Sequence, residues 1–113
     1  MTRIGYAEIW ADGSGALGSG HRRVLVLAEN RTWTQLLDPF SLNFAKVPSA
    51  TFARGAPKDM AGVVLIERLE LDDRARRQMR NRLKARMRFP TLVGRNKKRI
   101  RAVLRSLANG ARP

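Results

Sequence analysis

After Asp73 the chain contains no acidic residue. Residues 74–113 carry 15 Lys and Arg against no Asp or Glu, a net of +15. Residues 1–73 carry 8 basic and 9 acidic residues, a net of −1. This segregation restricts what the chain can fold into. The cationic segment cannot neutralise itself with its own carboxylates, so its bases must face solvent, salt or an anionic partner. Any regular structure there must also keep an apolar stripe that a core can accept.

Such stripes are present. Leu71, Ala75, Met79, Leu83 and Met87 recur at strict i+4 spacing, which predicts a helix over 72–88. Asp72 or Asp73 supplies its N-cap, and Phe89-Pro90 ends it because the residue before proline is driven out of the α region. Ile100, Val103, Leu104 and Leu107 predict a second helix over 96–108, with Asn109-Gly110 as its C-terminal signal. The two form a basic helical hairpin spanning 71–113, packed on or appended to the rest.

The first seventy residues read differently. Residues 4–10 alternate loosely, with Ile4, Tyr6 and Glu8 on one side. The Gly/Ser-rich 12–20 reads as a hairpin loop, and 22–28 as an aliphatic strand. Glu29, Asn30 and Arg31 make a turn in which Asn30 tolerates a left-handed conformation. Strands follow at 32–37 and 42–47, separated by a turn at Asp38-Pro39 and stopped by Pro48. Residues 49–62 read as irregular, with a short helical turn at 57–61. The run 63–69 fits a strand or a helix start; its Val-Val-Leu-Ile content favours a strand. The fold class expected is therefore α+β: a small antiparallel, SH3-like bent sheet or partly open barrel over 1–70, followed by the basic helices. The SH3-like cadence is an analogy of architecture, which carries no function.

A chain of 113 residues supports one small core. It has no cysteine, which removes thiolate chemistry and disulfides and fits a reducing compartment. The opening MTRIGYAEIW lacks an apolar signal core, and no apolar run reaches the ~20 residues of a membrane span. The expectation is an intracellular, cytoplasmic protein. Arginine outnumbers lysine 18 to 5, which suits phosphate recognition but also follows from a GC-rich coding sequence. Codon bias does not explain the clustering.

Within the cationic segment, like charges at i,i+4, such as Arg76/Arg80 and Arg82/Arg86, repel by a few tenths of a kcal/mol each. A solvated charged face would mix signs, and this one does not. A polyanion would relieve the repulsion through phosphate contact and counterion release. The chain is thus expected to be a non-enzymatic nucleic-acid-binding protein. Its expected phosphate contacts are Arg74, Arg77, Arg80, Arg82, Arg86, Arg88, Lys97, Lys98, Arg101 and Arg105. Only one aromatic, Phe89, lies beyond residue 73, which favours duplex DNA or structured RNA over stacking on single strands. The other aromatics read as core and sheet packing; an exposed Tyr6 or Trp33 beside the helices would restore a stacking role. The FPTLVGR connection is too long for a helix-turn-helix. The alternative is a small regulator or inhibitor, for instance phage-encoded, docking on an acidic protein surface or ribonucleoprotein.

Enzymatic readings are weaker. Glu67, Glu70, Asp72 and Asp73 offer oxygen ligands for Mg²⁺, but two of them sit where a helix start wants carboxylates. GSGALGSG lacks the Lys-Ser/Thr ending of a P-loop and precedes a strand. His21 is the only histidine, which argues against an ordinary zinc site or a Ser-His-Asp triad. No cofactor, metal or small-molecule substrate is expected.

Overall fold

The computed structural model describes residues 4–12, 17–54 and 63–109. Among these residues, five strands and four helices follow in the order β1 (Gly5–Asp12), β2 (Ser19–Glu29), β3 (Trp33–Leu37), β4 (Phe44–Pro48), α1 (Ser49–Arg54), β5 (Val63–Leu69), α2 (Asp73–Arg86), α3 (Pro90–Val93) and α4 (Lys97–Asn109). The strands form one antiparallel sheet ordered β4-β3-β2-β1-β5. It is open, with β4 and β5 at its edges, and α1 packs against β3, β4 and β5. Register shifts at Glu8/Ile9 against β5 and at Val26/Ala28 against β3 are the irregularities that bend such a sheet. The α+β class, the small antiparallel sheet and the C-terminal helices are as expected, and 63–69 is a strand.

The two-residue period of the strands divides the apolar residues between two cores. Ile4, Leu25, Leu37 and Leu42 join Met79, Leu83, Val93, Ile100, Val103 and Leu107 in one cluster, with Tyr6, Leu27 and Phe44 packed against it. Both long helices therefore bury their stripes against one face of the sheet. On the other face Ala7, Ile9, Val24, Val26, Leu36 and Val47 surround Phe52 of α1. One-residue slips would exchange the two sets, so both faces hold the register.

Turn chemistry explains the connections. Asn30 does not adopt the left-handed conformation that its type permits. Its side-chain oxygen instead accepts from the backbone N–H groups of Thr32 and Trp33, both at 2.8 Å. Asp38 organises the β3–β4 turn. One carboxylate oxygen accepts from the Phe40 N–H at 2.8 Å, and the other receives Arg22 at 2.8 Å. Leu42 takes the positive φ there, 63°, with its side chain fully buried in the helix-side core.

Two expectations are corrected here, and one falls outside the described residues. The Gly/Ser-rich 12–20 is not all loop, since Gly20 and Ser19 pair with Ala11 and Asp12 and extend β2 to eleven residues. Residues 49–54 form a helix, α1, where irregular chain was expected. The helical turn expected at 57–61 lies outside the described residues. The stretch after α2 is also more regular than a plain connection. Pro90 opens the one-turn helix α3, where its missing N–H costs nothing. Gly94 then reverses the chain into α4 at φ 52°, ψ −127°, a conformation suited to glycine.

Leu83 is fully buried where α2 meets the sheet and α4. Leu83→Ala should lower unfolding free energy by about 3 kcal/mol through lost burial and the cavity left behind. Urea denaturation measures this; a loss under about 1 kcal/mol would mean that the helices are not seated on the sheet.

Candidate nucleic-acid interface

The helix start after β5 is built as the sequence predicts. Asp72 caps α2, its side chain accepting from the Ala75 N–H at 2.8 Å, and Asp73 occupies the first turn. Asp72 is thus committed to the backbone. Among the described residues no group of three or more His, Cys, Asp or Glu comes together as a metal site, so Glu67, Glu70, Asp72 and Asp73 do not assemble into one.

With Met79, Leu83, Ile100, Val103 and Leu107 turned into the shared core, the remaining surfaces of α2 and α4 carry the bases. Of the ten expected phosphate contacts, all but Arg80 and Arg86 are exposed, and those two are half-buried. Arg95 and Arg99 add further exposed cations. The ion pairs among the described residues are Arg22–Asp38 at 2.8 Å and Arg68–Glu29 at 2.7 Å, both in the sheet half. None of the fourteen bases from Arg74 to Arg105 has a carboxylate partner among the described residues.

Arg86 is held differently from its neighbours. Its Nε donates to the Phe40 carbonyl at 2.8 Å. Its guanidinium lies 4.4 Å from the centroid of the Phe40 ring and 5.7 Å from that of Phe89. Arg99 similarly stacks on Phe44 at 3.9 Å. These are cation–π distances, worth about 0.5–1 kcal/mol each at exposed sites. The β3–β4 turn is thereby tied to the end of α2 and the start of α4.

Phe40 departs from the expected core packing, whereas Phe44 packs against the core as expected and also meets Arg99, and Phe89 lies in the cationic segment as the sequence places it. Phe40 is 64% exposed and Phe89 53% exposed, both beside Arg86. The partners are 46 residues apart for Phe40 and Arg86, so no local pattern could have paired them. Tyr6 is half-buried on the helix face of the sheet, and Trp33 is exposed at the start of β3. Burial pushes the Tyr6 hydroxyl above its ordinary pKa, against the opposing pull of the cations Arg82 and Arg23 and with a small upward push from Asp72.

Arg76 was not among the expected contacts, and it is the base the structure sets apart. It is only 7% exposed and faces the α2–α4 junction. A signal existed: Arg76, Met79 and Leu83 fall at i, i+3 and i+7, one buried helical stripe. No protein-family model matches the chain, and neither a curated protein nor a solved structure matches it.

Arg86 and Arg82 should separate in stability measurements. Arg86→Ala removes a hydrogen bond and two ring contacts and should cost about 1–2 kcal/mol. Arg82→Ala should change stability by less than about 0.5 kcal/mol, because it is exposed and only relieves like-charge repulsion. Equal effects in thermal unfolding would contradict a structural role for Arg86.

Proposed function

We propose that this chain is a non-enzymatic nucleic-acid-binding protein whose helices α2 and α4 contact the phosphate backbone. The supporting observation is the layer of eleven exposed bases, among the fourteen from Arg74 to Arg105, none of which has a carboxylate partner among the described residues. Such a layer repels itself, and a polyphosphate backbone relieves that repulsion while releasing its own condensed counterions. The exposed arginines Arg74, Arg77, Arg82, Arg88, Arg101 and Arg105 supply planar forks for phosphate oxygens, and Lys97 and Lys98 act as point charges.

The exposed rings of Phe40 and Phe89 favour one member of this class. Aromatic faces beside cations stack on unpaired bases, and a uniform duplex offers none. RNA hairpins with a bulge or loop combine both features, so structured RNA is preferred over plain duplex DNA.

Binding should be tested by fluorescence anisotropy on a bulged RNA hairpin and a DNA duplex across a salt series. Contact with about 5–8 phosphates predicts a log–log slope of roughly −4 to −7 on the duplex. Reversing Arg80 and Arg82 to Glu should weaken all sequences alike. A flat slope would overturn the proposal. So would a cellular partner that survives nuclease digestion while oligonucleotides fail to bind, which would assign the cationic layer to an acidic protein.

A further inference from the structure

An open groove of about 340 Å³ lies between the first turns of α2 and the end of α4. Asp73, Arg76, Arg77 and Arg80 line it from α2, and Leu107 and Ala108 from α4. Three guanidinium groups against one carboxylate leave it strongly positive. The positive end of the α2 dipole adds to the same field.

Arg76 makes this more than a charged surface. The residue is more than nine-tenths buried, yet its side chain has no ion pair or hydrogen bond among the described residues. Its stem is buried, but its guanidinium nitrogens are not sealed off: among the described residues the one fully buried side-chain nitrogen or oxygen without a partner is Arg22 Nε, so the accessibility Arg76 keeps lies at its polar end, toward the groove. A helix surface offers cheaper ways to place a cation, as the exposed Arg74 and Arg77 on either side show. Asp73 is near enough to line the groove but forms no ion pair with Arg76. The residue that lacks a counter-ion therefore faces a cavity wall already rich in guanidinium.

We propose that this groove is an oxyanion site in which Arg76, Arg77 and Arg80 hold one phosphate group. Arg76 provides a fixed fork whose orientation is set by burial, and Arg77 and Arg80 close on the group from the solvent side. The site stands on the groove's own geometry. That the phosphate belongs to a polynucleotide rests on the function proposed above, where it would be the contact that fixes register while the exposed bases track the backbone.

The test is thermal unfolding of the full chain in sodium phosphate against sodium chloride at matched ionic strength and pH. The wild type should gain a phosphate-specific increase in Tm that grows with the logarithm of concentration. Arg76→Met should lose that increase while its Tm in chloride stays close to that of the wild type, because methionine keeps the buried apolar stem and removes only the polar end that reaches the groove. Arg77→Gln, at an exposed position that folds in any case, should weaken the increase. Arg31→Gln removes the same charge from the β2–β3 turn and should retain it. Equal increments in phosphate and chloride, or a full phosphate increment in Arg76→Met, would overturn the site.

An oligonucleotide arm identifies the source. If the phosphate is a backbone one, Arg76→Met should lose roughly tenfold in affinity for the RNA hairpin, the size of one charge-assisted contact. Unchanged hairpin affinity alongside a lost phosphate increment would reject the backbone source and leave a site for free phosphate. A phosphate increment with no oligonucleotide binding by the wild type would uphold the site and reject the nucleic-acid reading.

Discussion

Burial of the two helix stripes against the sheet is the contact on which the rest of this molecule depends. Met79 and Leu83 of α2 and Ile100, Val103 and Leu107 of α4 share one core with Leu25, Leu37 and Leu42. The transfer of these side chains from water is worth roughly 1.5–3 kcal/mol each, against repulsions of a few tenths per like-charged helix pair. Burial therefore wins by a wide margin. The stripes hold the helices together despite the charge, and by doing so they leave most of the bases exposed on the remaining helix surfaces. The segregation of charge along the sequence becomes a segregation of charge in space.

The sheet contributes more than a floor. Its β3–β4 turn reaches the helices, where Arg86 meets Phe40 and Phe89 and Arg99 stacks on Phe44. Carboxylates are used sparingly and elsewhere. Asp38 neutralises Arg22 and orders its own turn, Glu29 receives Arg68 and Thr34, and Asp72 caps α2. Each commitment leaves the bases after Asp73 without a counter-charge from within the described residues.

Much of this fold is legible in the order of the residues alone. Aliphatic runs between Asn30, Asp38-Pro39 and Pro48 place three strands, because each turn residue has a local reason to be where it is. The i+4 stripe and the paired aspartates place α2 to within two residues. What cannot be read there depends on distant partners. Ser19 and Gly20 look like loop until Asp12 and Ala11 lie opposite them. The short helix α1 carries no repeat to betray it, and its Phe52 is buried through contacts with residues of β1 to β4 that are distant in sequence. The candidate site divides the same way. Charge clustering identifies the helices, whereas the burial of Arg76 and the approach of Phe40 to Arg86 depend on tertiary packing.

The bases after Asp73, then, have no carboxylate partner among the described residues and are held together against their own repulsion. The most direct measurement of this is the melting temperature as sodium chloride is raised from about 0.01 M to about 0.5 M, which shortens the screening length from roughly 30 Å to a few ångströms. The Tm should climb steadily over that range as the repulsion between α2 and α4 is screened. A Tm that stays level or declines would mean that the bases are already balanced within the fold, and would contradict the account.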